Sequence, residues 1–143
     1  MTFEVGQALP TIERKITLPD MVAYAGATWD WYGLHYDPEF VAAAKVPAPV
    51  VDGQVFGAYF VELCQDAFGP QSFVRELSFT FRNLMFAGET VRVEGVVTEL
   101  EDDRAVVELT ATILASDFGP ERPAAKPARA VVLLGTPDGP GAA

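Results

Sequence analysis

The chain has 143 residues, half of them hydrophobic, and carries 10 Lys and Arg against 20 Asp and Glu, a formal net charge of −10. This is one ordinary domain with material for a real core, and it excludes global disorder and a duplex-DNA binder that works by neutralising phosphates. A single cysteine and a single histidine exclude a disulfide framework and any metal site built from several His and Cys ligands.

No apolar run approaches the roughly 20 residues a membrane span needs. The first six residues have neither the basic start nor the apolar core of a secretory signal. A cytoplasmic protein with no membrane partner, no nucleic-acid partner, no cofactor and no metal is the expectation.

In chain order, Thr17-Leu18-Pro19-Asp20 supplies an N-cap, an early proline and an acid three residues on. The spacing predicts a helix through residues 21–25 that ends near Gly26. Residues 38–44 can add a short second helix. Residues 53–68 are apolar almost all round, with only Gln54, Glu62, Gln65 and Asp66 strongly polar, so a mostly buried helix is expected there. Gly69-Pro70 stops it.

Period-two patterning follows. Over residues 73–82, Phe73, Leu77, Phe79 and Phe81 share one parity against Glu76, Ser78, Thr80 and Arg82. Arg75 breaks the series, which places a regular strand only from about residue 76. Residues 90–99 and 105–115 repeat the pattern, with Glu101-Asp102-Asp103 as a solvated hairpin turn between them. Residues 116–127 read as a loop, residues 129–134 as a closing strand, and residues 135–143 as a loose tail. Fifteen helical residues at about 1.5 Å span roughly 22 Å, and a strand of seven residues covers roughly 23 Å. One buried helix can therefore lie along a curved antiparallel sheet that wraps it. That is an α+β hotdog fold over residues 1–134.

The densest functional signal is residues 24–37, YAGATWDWYGLHYD. Asp30 precedes His35 by five residues, and Gly33 permits a turn that can bring carboxylate and imidazole together. Such a pair suits general acid–base work. It also suits a turn-capping Asp beside a hydrogen-bonded histidine. Trp29, Trp31, Tyr32 and Tyr36 fit packing as well as ligand recognition. Cys64, within the buried helix, reads as a core thiol. Glu62 and Asp66 stand one turn apart on its polar stripe.

With Tyr24, Thr28, Asp30, Leu34, His35 and Asp37 in this spacing, the segment resembles the motif of the MaoC-like, or (R)-specific, enoyl-CoA hydratase family. Three further segments resemble the family in the same order: Phe3-Glu4-Val5-Gly6 with Leu9-Pro10, Val51-Asp52-Gly53-Gln54, and Phe79 to Arg82 followed by Phe86-Ala87-Gly88-Glu89-Thr90-Val91. The resemblance implies a lyase. Asp30 and His35 would activate a water for C3 of a trans-2-enoyl thioester and supply the proton for C2, or run the reverse dehydration. It implies an oxyanion site at Gly53 and the first-turn N–H groups of the hotdog helix. Asp52, Gln54 and Tyr32 join Gly53 as substrate-binding candidates. Three positions depart from the family pattern: Tyr32-Gly33 replaces Asn-Pro, Asp52 stands where His is usual, and Gln54 where Met is usual.

The substrate so implied is an acyl-CoA or acyl-carrier thioester. Arg75, Arg82, Arg92 and Lys45 are candidate phosphate clamps for its pantetheine-type tether. A homodimer, or a heterodimer with a second hotdog chain, would cover the sheet edge. Two other readings accompany this one: a hotdog thioesterase using Glu62 or Asp66, and a non-catalytic subunit of a heteromeric hydratase.

Overall fold

A computed structural model describes residues 3–135. Its elements are β1 (Ile12–Lys15), α1 (Leu18–Thr28), a single 3₁₀ turn (Gly33–His35), α2 (Pro38–Ala43), α3 (Gln54–Phe68), β2 (Phe73–Phe81), β3 (Thr90–Leu100), β4 (Arg104–Ile113) and β5 (Arg122–Leu133). The strands form one antiparallel sheet in the order β1-β3-β4-β5-β2, and α3 lies on it. This is the hotdog arrangement expected from the patterning. No helix among the described residues is long and apolar enough to cross a membrane. The tail expected from residue 135 lies, from residue 136 on, outside the described residues.

The core follows from the two periodicities. Val91, Val93 and Val97 of β3 and Val107, Leu109, Ala111 and Ile113 of β4 are fully buried, and they alternate with solvent-facing polar residues. Phe60, Leu63 and Cys64 press the buried face of α3 onto them. The outer face of α3 is less covered than its apolar composition implies: Ala58, Gln65 and Asp66 are exposed and Tyr59 is half-buried.

Gly53, at the N-cap of α3, and Gly57 within it let β2 come close. A Cβ on Gly53 would stand 2.5 Å from the Phe81 ring, and one on Gly57 would stand 3.0 Å from the Phe79 ring. Four residues of helix rise about 6 Å, nearly the span of two strand residues, about 6.6 Å. The pairs Gly53/Phe81 and Gly57/Phe79 thus repeat in register, with helix and strand running in opposite directions.

Four elements differ from the sequence reading. β1 was not anticipated, because four alternating residues do not stand out as a pattern. α1 continues two residues past Gly26, to Thr28, and is capped by Trp29, which adopts the left-handed region at φ 60; the capping box of Thr17 and Asp20 starts it as expected. β2 begins at Phe73, and Arg75 marks a bulge in it. The register with β5 shifts between Val74 and Glu76, so Val74 packs on the core while Phe73 is 63% exposed. β5 begins at Arg122, inside the stretch expected to be loop. Pro127 sits where a strand tolerates a missing N–H: Ala125 pairs with Ala111 and Ala128 with Leu109, so Lys126 and Pro127 together face Thr110 as a bulge, while Pro123 pairs with Thr112 beside a second register shift near the start of the strand. The alanines of the expected loop, Ala124 and Ala125, are buried in the core, as are Ala128 and Ala130 further along the strand.

One carboxylate is fully buried. Glu89, just before β3, accepts hydrogen bonds from Arg122 Nη2 at 2.8 Å, from the Phe86 N–H at 2.8 Å and from Ser116 Oγ. Arg122 also donates to the Leu84 carbonyl at 3.0 Å. Burial pushes the Glu89 carboxyl up, but the bonds from Arg122, Ser116 and Phe86 outweigh it and hold the group below its ordinary value. This cluster ties the loop before β3 and the loop after β4 to the start of β5.

Candidate active site

The site is built at the junction of a loop and a helix start. The Asp30 N–H bonds back to Ala25 O at 3.0 Å, closing α1, and the Asp30 carboxylate accepts the Tyr32 N–H at 3.3 Å. The 3₁₀ turn then carries His35 inward. Leu34 O accepts the Val50 N–H at 3.0 Å, and His35 Nδ1 lies 2.6 Å from Val50 O. A second link, from the Val51 N–H to Met85 O at 2.8 Å, anchors this segment to the strand region beyond it. Asp52 follows directly and accepts the Gln54 N–H at 2.9 Å at the start of α3.

These clasps bring three groups together. One donor atom each from Asp30, His35 and Asp52 lie within 4.8 Å of one another. A carbonyl only accepts, so Nδ1 of His35 carries the hydrogen in its bond to Val50. In the neutral ring Nε2 is then the basic nitrogen, and in the charged ring Nε2 is the acid. The three groups open into a cavity of about 230 Å³ whose other walls include Met21, Tyr24, Val51, Val55 and Tyr59. His35 also faces a second, more open groove of about 320 Å³, shared with Gly53, Phe81, Arg82, Asn83 and Leu84. The imidazole therefore stands between an apolar chamber and an open channel.

Two tyrosines of the chamber were not singled out as site residues. Burial raises the Tyr24 hydroxyl, and the charges of Asp52 and Asp30 raise it further. Burial also raises that of Tyr59, against the pull of Arg14 and with the push of Glu62, Asp20 and Tyr24. Both hydroxyls stay protonated donors near neutral pH. Their spacing along helices reads as packing, and only the placement of the two carboxylates beside Tyr24 marks it out.

The remaining candidates separate. Gly53 lies in the open groove, its missing Cβ taken up by the Phe81 ring. Of the early N–H groups of α3, Gln54 is held by the Asp52 carboxylate, Val55 by Asp52 O and Phe56 by Gly53 O. The Gly53 N–H has no acceptor among the described residues. The expected set of first-turn donors thus narrows to Gly53. Tyr32 lines neither space; it sets its ring edge-to-face on His35 at 5.6 Å and on Phe40 at 5.1 Å. The Gln54 side chain is exposed and lines neither. Asp37 caps α2 through the Glu39 and Phe40 N–H groups.

The helix carboxylates are elsewhere. Glu62 is paired with Arg14. Asp66 lies with Gln65, Gly69 and Pro70 at the far end of α3, thirteen residues or about 20 Å of helix from Gly53. Burial pushes the Cys64 thiol up to about 12, so it is inert as a nucleophile in the folded chain.

The MaoC-like domain family matches residues 2–117. The (R)-specific enoyl-CoA hydratase of Aeromonas caviae is 30% identical over 113 residues, 78% of this chain and 84% of that protein. The solved (R)-hydratase of A. caviae involved in PHA biosynthesis superposes with a TM-score of 0.77 at 28% identity, over 93% of this chain and 98% of that one. A chain of the ChsH1–ChsH2 complex of Mycobacterium tuberculosis superposes with a TM-score of 0.80 at 20% identity, over 94% and 100%.

Proposed function

The chain belongs to the MaoC-like domain family, and on that premise we propose that it hydrates trans-2-enoyl thioesters to 3-hydroxyacyl thioesters, or dehydrates them in reverse, with Asp30 and His35 as the acid–base pair. The observation that carries this is the meeting of the Asp30 carboxylate, His35 and Asp52 at the mouth of an apolar chamber.

The enoyl chain enters the chamber, and its thioester lies beside His35 toward the Gly53 groove. A water held between Asp30 and His35 gives its oxygen to C3 and a proton to one partner. The other partner delivers a proton to C2, and a proton passing between the two restores the starting state. Negative charge gathers on the thioester oxygen as the enolate forms. The free Gly53 N–H at the positive end of α3 is the donor placed to meet it. The Val50 carbonyl holds the imidazole ring in one tautomer throughout. The Tyr32 ring packed on His35 restricts its rotation.

The test is loss of enoyl absorbance with crotonyl-CoA and longer enoyl-CoA esters. The wild-type chain should turn over, and His35→Ala and Asp30→Asn should each lower kcat by at least about a hundredfold with folding intact by circular dichroism. Full activity in His35→Ala would overturn the assignment.

The active unit is a dimer, with a second copy or a related hotdog chain. β2 is an edge strand of nine residues, and Phe73, Phe81 and Leu84 on or beside it are 63%, 52% and 53% exposed. An edge of that length and apolarity calls for a covering chain. Light scattering on the purified chain should give twice the monomer mass; a stable, fully active monomer would refute it.

A further inference from the structure

The chain has seven arginines, and six of them have a carboxylate within 4.0 Å: Arg14, Arg75, Arg92, Arg104, Arg122 and Arg129. Arg82 has none among the described residues. On a chain of net charge −10, an arginine left without an acid is conspicuous, and its place in the fold is specific. It lines the groove that also holds Gly53 and His35. The end of β2 is fixed there: Arg82 Nε donates to Lys126 O, the Arg82 N–H to Ala124 O at 2.9 Å, and Asn83 Nδ2 to Pro123 O at 2.8 Å. These bonds leave both Nη groups of Arg82 uncommitted on an anchored stem. A planar guanidinium so presented matches the oxygens of a phosphate.

The chamber on the other side of His35 has the opposite character. Its titratable walls are Asp20, Asp30, Asp52, Tyr24, Tyr59 and His35, with no Lys or Arg. A polyanionic group is repelled there and can be met only in the groove. The substrate's orientation follows from charge: the uncharged acyl end goes inward, the anionic end goes out past Gly53.

Resting on the hydratase reading, we propose that Arg82 recognises the phosphate of a phosphopantetheine tether and so determines specificity for thioesters that carry one. Coenzyme A and an acyl carrier protein both present this group. Lys45 and the remaining sequence candidates for this role, Arg75 and Arg92, do not line the groove.

The experiment compares wild type, Arg82→Ala and Arg82→Lys on crotonyl-CoA, crotonyl-acyl carrier protein and crotonyl-pantetheine, which lacks the phosphate. Arg82→Ala should raise KM about ten- to a hundredfold on a phosphate-bearing substrate, with kcat little changed, and leave crotonyl-pantetheine unaffected. Arg82→Lys should recover part of the loss. An effect confined to the CoA ester, or to the carrier ester, identifies the source of the phosphate. Equal loss on crotonyl-pantetheine, or no loss on either phosphate-bearing ester, overturns the proposal. Calorimetric binding of 4′-phosphopantetheine against pantetheine separates this from the hydratase reading. A preference for the phosphate that disappears in Arg82→Ala supports the role of Arg82 even in a chain that hydrates nothing, and its absence in the wild type refutes it.

Discussion

Replacing Glu89 by Gln keeps the shape of the buried side chain and removes its charge. With its oxygen in the place that Phe86 and Arg122 share, Gln can still accept from both, but its NH₂ group then faces Ser116 Oγ, which donates to Glu89 in the native structure. Arg122, with a side chain only 16% exposed, loses its counter-ion. Breaking one side of a buried ion pair costs about 3–5 kcal/mol, a large part of the roughly 5–15 kcal/mol that holds an ordinary domain together. For a chain of this size the melting temperature should fall by roughly 10–15 °C. Calorimetry and urea titration at pH 7 measure it. The pH dependence has a definite sign. The carboxyl is held below its ordinary value in the folded chain, so its contribution is complete above the unfolded pKa of about 4.3. The contribution is then lost as pH falls through the folded value. Wild type should therefore lose stability in acid more steeply than Glu89→Gln. The double replacement Glu89→Leu with Arg122→Met should be less damaging than the single one, because no charge is left unpaired. A Glu89→Gln chain as stable as wild type, with the same acid profile, would refute the reasoning.

Four other outcomes are expected. Gly57→Ala drives a methyl into Phe79, whose ring is hemmed by Phe60 and Phe81 at 5.6 and 5.5 Å; overpacking of about 1–3 kcal/mol, partly offset by better helix propensity, should leave a measurable fall in urea midpoint. Gly53→Ala meets Phe81, which is 52% exposed and can swing away, so stability should change less while kcat falls; Phe81→Leu in the same chain should restore part of the activity, and no change in kcat would show the groove tolerates a displaced ring. Asp52→Asn keeps an oxygen for the Gln54 N–H and should leave the melting temperature nearly unchanged, yet it removes a charge beside His35 and should lower kcat about tenfold, less than the hundredfold or more expected of a direct proton-transfer partner; a rise in kcat would show instead that this carboxylate opposes the enolate. With its thiol raised to about 12, Cys64 should resist a thiol reagent at pH 8 until denaturant is added, and rapid labelling of the folded chain would contradict that burial.

How much of this was legible depended on whether the deciding force was local. The capping box at Thr17 and Asp20, the stop at Gly69-Pro70 and the alternation of β3 and β4 are local, and their positions could be read from neighbouring residues. The approach of Asp30 to His35 was legible as one of two readings, since Gly33 between them permits a turn and the family resemblance favoured the pair. The arrival of Asp52 was not legible from spacing, because the Val50 carbonyl that ties the two segments is backbone and leaves no mark in the sequence. Arg75 showed that the strand pattern breaks, but a bulge and a late start produce the same break; only the pairing with β5 distinguishes them. Pro123 and Pro127 suggested a loop because proline is rare inside sheets, and what admits them, a bulge at Pro127 and a register shift beside Pro123, depends on β4. Glu89 entered the sequence reading only within a segment that resembles the family; its burial depends on Arg122 and Ser116, far along the chain, closing over it.

The bulge at Arg75 bears on the chain's life before it meets a partner. By reversing the parity of β2 it turns Phe73 outward on an edge strand whose free backbone groups can accept another strand. A newly made chain, folded but alone, is thus adhesive along one border. On the dimer proposed above, rising concentration favours either that pairing or indiscriminate association along the same edge. Its soluble yield should accordingly rise when a matching hotdog chain is produced alongside it, and the competition between pairing and aggregation is set by a single inserted residue.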